Sequence, residues 1–131
     1  MEMTESPGTK PVVWIGSSRT DLASFPEDVK DAIGYALYIA QRGGKHADAK
    51  PLRGFSGAGI LEIVEDQAGD TYRAVYTVRL AGRIYVLHVF QKKSKTGIKT
   101  PKPEIELIKS RLKRAEEEHA RWLEAQKGNR K

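Results

Sequence analysis

The feature that most constrains this chain is the stretch from Ile60 to Phe90. Three segments rich in β-forming residues follow one another there, separated by two short turns. Ile60 to Val64 is the first, Tyr72 to Arg79 the second and Arg83 to Phe90 the third and most apolar. Asp66-Gln67-Ala68-Gly69-Asp70 and Ala81-Gly82 supply the turns. Consecutive strands joined by tight turns read as an antiparallel meander, because a parallel pair needs a long crossover. Alternation divides each strand between two faces. In the second strand Arg73, Val75, Thr77 and Arg79 share one face, and Tyr72, Ala74, Tyr76 and Val78 the other. In the third, Ile84, Val86, His88 and Phe90 oppose Tyr85, Leu87 and Val89.

The flanks are helical. Pro26-Glu27-Asp28 opens a helix, with proline suited to a first turn and the acids to the positive end of the dipole. Val29, Ile33, Ala36, Leu37 and Ala40 then form a one-sided apolar stripe, which Gly43-Gly44 ends. Asp21 to Phe25 reads as a short helical turn. Before it, Val12 to Ile15 reads as a buried strand that adds to the sheet. Residues 45–59, with Pro51, Gly54, Gly57 and Gly59, read as loop. After Pro103, Ile105, Ile108, Leu112, Ala115, His119 and Trp122 make a seam with alternating steps of three and four. The expectation is one α+β domain over residues 11–126. It has a twisted antiparallel sheet of about four strands, N-terminal helical elements and a long C-terminal helix. Flexible tails are expected at 1–10 and 127–131.

The 131 residues carry a formal net charge of +6, and it is unevenly placed. Residues 1–72 hold seven basic and 11 acidic side chains; residues 73–131 hold 16 basic and six acidic. The second half, at a net +10, attracts phosphates or an acidic partner. Its densest stretch, Gln91 to Lys102, contains Lys92, Lys93, Lys95, Lys99 and Lys102 and no acid. With no cysteine there is no disulfide, thiolate metal site or cysteine nucleophile, and the usage fits a reducing compartment. No apolar run approaches the roughly 20 residues of a membrane span. The acidic, polar N-terminus lacks a signal-peptide core. A soluble cytoplasmic protein without membrane attachment is expected.

His46, His88 and His119 have no metal-ligand spacing, so neither metal nor cofactor is expected. Gly54, Gly57 and Gly59 are not followed by Lys-Ser/Thr or a helix, which excludes a phosphate-binding loop. The acids fall in turns and on helix faces, which disfavours a paired-carboxylate hydrolase. Two readings of Arg73 and Arg79 stand at this level: solvated strand residues, or part of a cationic face beside the lysine-rich run. His88 is either a satisfied residue among apolar neighbours or an acid–base group facing a basic cleft.

From Pro51 to Lys93 the order of motifs resembles the RelE/ParE-type toxin superfamily of bacterial toxin–antitoxin modules. Leu52-Arg53-Gly54 precedes a strand, and Tyr72-Arg73-Ala74-Val75-Tyr76 follows a turn. Tyr85 to Phe90 then runs into Gln91-Lys92-Lys93-Ser94-Lys95-Thr96. The set resembles the phage Gp49-like, HigB-type branch and covers about residues 11–115. It implies a RelE-like fold and a ribosome-dependent, metal-independent mRNA endonuclease (an mRNA interferase) that inhibits translation. It also implies a cognate antitoxin, often of the helix-turn-helix type.

In that reading Arg73 stabilises the transition-state phosphate. Lys92 and Lys93 contact the scissile phosphate or leaving group. Arg53, Tyr85, Lys95 and Lys99 hold RNA, and His88 or Tyr85 transfers the proton. The strand Ile60 to Val64 carries none of the lysines some ribonuclease members have there, and residues 91–118 contain neither tyrosine nor histidine. The seam of the C-terminal helix is read as a surface for the antitoxin or a second copy. The competing expectations are a non-nuclease toxin of the same fold that inhibits DNA gyrase, and a detoxified nucleic-acid- or protein-binding domain.

Overall fold

The computed structural model describes residues 9–55, 59–92 and 100–128. Five strands and three helices follow one another: β1 (Val12–Trp14), α1 (Ser18–Ala23), α2 (Glu27–Gln41), β2 (Ala49–Pro51), β3 (Ile60–Gln67), β4 (Asp70–Thr77), β5 (Ile84–Lys92) and α3 (Lys102–Gly128). One mixed sheet has the order β1-β5-β4-β3-β2. The expected meander is its centre: β3 pairs antiparallel with β4, and β4 with β5.

Two strands depart from expectation. β1 joins the sheet parallel to β5, with Val12 opposite Ile84 and Trp14 opposite Val86. Apolar periodicity marks a strand but carries no direction, so the sheet is mixed where an antiparallel one was expected. β2, inside the segment read as loop, pairs antiparallel with β3 through Ala49, Lys50 and Pro51. It forms the edge, where a proline without an N–H does least harm to the ladder.

Two apolar layers sandwich the sheet. The α2 stripe of Val29, Ile33, Ala36, Leu37 and Ala40 is buried against Ile63, Tyr72, Ala74, Tyr76, Ile84, Val86 and Val89. On the other face Ile60, Val75, Tyr85, Leu87 and Phe90 meet Ile108 and Ala115 of α3, with Ile105 and Leu112 packed alongside. The α3 seam therefore covers the chain's own sheet. This corrects the expectation that the seam serves a partner, because an apolar stripe does not say whose surface it covers.

Alternation holds in β4 and fails halfway along β5. Val75 pairs with His88 but Tyr76 pairs with Val86, so Leu87 is an extra residue in a β-bulge. Beyond it, Val89 turns toward α2, while Leu87, His88 and Phe90 lie on the α3 side. The expected grouping of His88 with Ile84 and Val86 is overturned by that one inserted residue.

Candidate functional site

A groove of about 530 Å³ opens where β2, β3 and β4 meet the chain entering α3. Lys50, Arg53, Glu62, Arg73, Thr100 and Ile105 are among its lining residues. Local rules place each of them. Lys50 on β2 is the register partner of Glu62 on β3, so the two share a face. Arg73 pairs with Val64, two residues along from Glu62, which puts the guanidinium diagonally across from that carboxylate. Arg53 follows β2 in the turn at Gly54, whose φ of 92° is open to glycine at little cost. Thr100 precedes α3, and Ile105 in the first turn of that helix donates its N–H to Pro101 O at 3.0 Å.

Glu62 and Arg73 form the floor. Arg73 Nη1 donates to Glu62 Oε2 at 2.6 Å, and the Arg73 and Glu62 side chains keep only 6% and 11% of their surface exposed. Thr100 Oγ1 donates to the same oxygen at 3.1 Å. A charge-assisted bond of this kind is roughly twice as strong as a neutral one, and burial is tolerated because the charges are paired. Glu62 is the residue that sequence reasoning missed. The acids were assigned to turns and helix faces, yet Glu62 is a strand-interior carboxylate on the alternation face of Ile60 and Val64. That position, beside the strand carrying Arg73, was the available signal.

The expected site residues separate into groups. Arg73 and Arg53 come together in the groove, Arg73 buried and Arg53 exposed. Lys92 ends β5 opposite Thr71; by register it lies on the face of Phe90 and Arg73. Lys93, Lys95 and Lys99 lie outside the described residues.

His88 and Tyr85 are elsewhere. His88 is 6% exposed, and both ring nitrogens are engaged: Nε2 with Glu104 Oε1 at 2.5 Å, and Nδ1 with Arg111 Nη1 at 3.2 Å. Since a guanidinium can only donate, Nδ1 is the acceptor and the proton sits on Nε2, facing the carboxylate. The same Arg111 also donates to Leu87 O and Ser17 Oγ, tying α3 to β5 and to the loop before α1. His88 is thus a bracket for the first turns of α3, which corrects its reading as an acid or base in the cleft.

Tyr85 is fully buried, and its hydroxyl lies 2.9 Å from His119 Nδ1. Arg83 donates to the same hydroxyl at 3.2 Å and lies 4.5 Å from the Trp122 ring centroid. Burial, and then the Arg83 charge, lower the His119 pKa; with Arg83 donating into the tyrosine oxygen, the hydroxyl donates its own hydrogen bond to Nδ1. A side chain without exposed surface offers no face to a base, which corrects the RNA-contact reading of Tyr85. Its cluster anchors the far half of α3.

Among the described residues no three His, Asp or Glu side chains gather so as to hold a metal ion, and no helix is long and apolar enough to cross a membrane.

The fold and groove define a small α+β protein with a carboxylate–guanidinium pair on a sheet face. The family model of the phage-derived Gp49-like proteins matches residues 20–113, and the chain belongs to that family. The match spans α2, the meander and the first turns of α3, bearing out the resemblance carried by Arg53, Arg73 and the end of β5. No curated protein sequence matches the chain. Among solved structures, the chain is similar to one in the RelBE2 toxin–antitoxin complex of Mycobacterium tuberculosis. That match has 19% identity and a TM-score of 0.43, and covers 70% of this chain and all of the other.

Proposed function

We propose that this protein is the toxin of a type II toxin–antitoxin module, a ribosome-dependent mRNA endonuclease whose cleavage site is the Glu62–Arg73 groove. The observation that carries the reading is the pairing of a buried carboxylate with a buried guanidinium at the floor of a cationic groove. RNA brings its own nucleophile. Attack of the 2′-oxygen on the adjacent phosphorus needs a base for the 2′-proton and positive charge for the oxygens of the developing phosphorane. Glu62 is the base, receiving the 2′-proton. Arg73, already aimed at Glu62, stabilises the equatorial oxygens. The P–O5′ bond breaks as the 2′-O–P bond forms, leaving a cyclic phosphate and a 5′-oxygen that becomes the 5′-hydroxyl by taking a proton from water. Lys50 and Arg53 hold the flanking backbone through phosphate contacts. Lys92, with Lys93 following it in sequence, serves the scissile phosphate or leaving group. A cognate antitoxin, of the helix-turn-helix type, silences the protein by covering the groove.

The test is induced expression in a bacterium. Primer extension maps 5′ ends on a translated message and on the same message without its start codon. Cuts confined to the translated message, lost in Glu62→Gln and Arg73→Lys, are expected. Growth arrest without cuts would move the target to DNA gyrase. No arrest would identify a detoxified binding domain.

A further inference from the structure

The hydrogen bonds around Glu62 are asymmetric. Arg73 Nη1 and Thr100 Oγ1 both donate to Oε2. Among the described residues no hydrogen bond reaches Oε1. One oxygen is therefore tied down from two directions, from β4 and from the segment entering α3, and the other is left to the groove. Among the described residues, the charged side chains lining the groove with this carboxylate are Arg73 from β4, Lys50 across from it on β2 and Arg53 from the turn beyond. From α3 the lining residue is the apolar Ile105.

We propose that Thr100 is a positioning residue for Glu62: its hydroxyl holds Oε2 so that Oε1 presents its lone pairs to the 2′-hydroxyl of the substrate. This rests on the cleavage reading given above. A carboxylate gripped by one donor can still turn about its last torsion, which is broad for glutamate. A second donor on the same oxygen, from a different direction, removes that freedom. Thr100 is itself placed by tertiary structure. Two residues on, α3 begins; its first turns are bracketed by Glu104 on His88 and by Ile105 in the core. His88 thus acts on the groove at a distance, by setting where Thr100 stands. Removing the Thr100 donor leaves Glu62 in the groove but lets it rotate, so the loss falls on the chemical step and spares RNA binding.

The experiment is single-turnover cleavage of message on programmed ribosomes by the purified full chain, with rate followed against the concentration of the ribosome complex. Loss of one hydrogen bond to a charged group predicts that Thr100→Val lowers the maximal rate by roughly tenfold or more, with half-saturation unchanged. Thr100→Ser keeps the hydroxyl and restores the rate to within about threefold by the same reasoning. In a Glu62→Gln background, adding Thr100→Val changes nothing further. Thr100→Ala serves if valine lowers the melting temperature. Wild-type rates in Thr100→Val and Thr100→Ala overturn the assignment while leaving the nuclease reading intact. So does a loss in Thr100→Ser as large as in Thr100→Val, which would make the role one of packing. Absence of cleavage by the wild-type chain overturns the nuclease reading and this assignment together.

Discussion

The guanidinium of Arg111 lies across Gly16, in the space a side chain at that position would need. A Cβ built on Gly16 would stand 2.8 Å from Arg111 Cζ and Nε, and the Gly16 φ is 61°. The positive φ ends β1 and turns the chain into α1; the missing side chain lets Arg111 reach Ser17 on one side and His88 on the other. Two costs therefore meet in Gly16→Ala. The left-handed backbone costs about 1 kcal/mol for any residue with a Cβ, and the displaced guanidinium adds about as much again through its lost hydrogen bonds. Urea unfolding should show a loss of about 2 kcal/mol. In an Arg111→Ala background the same substitution should cost only the backbone part. Equal losses in both backgrounds would refute the contact.

The hairpin between β3 and β4 carries a strain that can be removed. Ala68 and Gly69 both have positive φ, 52° and 87°, as a two-residue type I′ turn requires. Glycine is at home there, whereas alanine is not. Asn tolerates the left-handed region far better, so Ala68→Asn should stabilise the protein by roughly 0.5–1 kcal/mol. A thermal melt checks this: the midpoint should rise, and a fall would show that the turn is held by something other than its own backbone.

How much of this was legible depended on whether the pattern was local. The α2 stripe from Val29 to Ala40, the meander and the α3 seam follow from spacing alone, and each is buried as the spacing predicts. Strand β2 was hidden because Pro51 and the nearby glycines are loop residues by local preference; pairing of Ala49 and Lys50 with Ile63 and Glu62 overrides that preference. The bulge at Leu87 was invisible because an inserted residue leaves the apolar run unbroken while inverting every face after it, which is why His88 and Phe90 part from Ile84 and Val86. Arg73 was legible through the family resemblance. Glu62 was not, since one acid in an apolar strand gains meaning only when the strand beside it places Arg73 within 2.6 Å.

Glu65 makes stability depend on pH. Burial comes first, and the neighbouring carboxylates of Asp48 and Asp66 add to it; together they push the Glu65 carboxyl up to about 7 from its ordinary 4.5. The folded chain then binds this proton more tightly than the unfolded chain does. The stabilisation is complete below pH 4.5 and disappears as pH rises through 7. Discounted for partial exposure, the loss is roughly 1 kcal/mol between pH 5 and 8. Glu65→Gln cannot ionise, so the difference in unfolding free energy between it and the wild type should grow in the variant's favour over that interval. A pH-independent difference would show that Glu65 is ionised throughout.

The buried pair at the groove floor should show strong coupling. Removing one partner leaves the other charge buried and uncompensated, which costs about 3–5 kcal/mol. Glu62→Ala and Arg73→Ala should each be destabilising on that scale. The double variant should lose far less than the two together, because it leaves no orphaned charge. The conservative pair Glu62→Gln and Arg73→Lys keeps a hydrogen bond across the groove and should be milder. These variants belong in any activity assay, since loss of cleavage in an alanine variant could reflect unfolding. Denaturant unfolding of the wild type and all five variants checks the cycle: a coupling energy below about 0.5 kcal/mol would mean that water compensates each charge in turn. In that case the floor of the groove would be wetter than the exposures of Glu62 and Arg73 indicate. The carboxylate would then meet its substrate already hydrated, with less of the preorganisation on which the proposed chemistry depends.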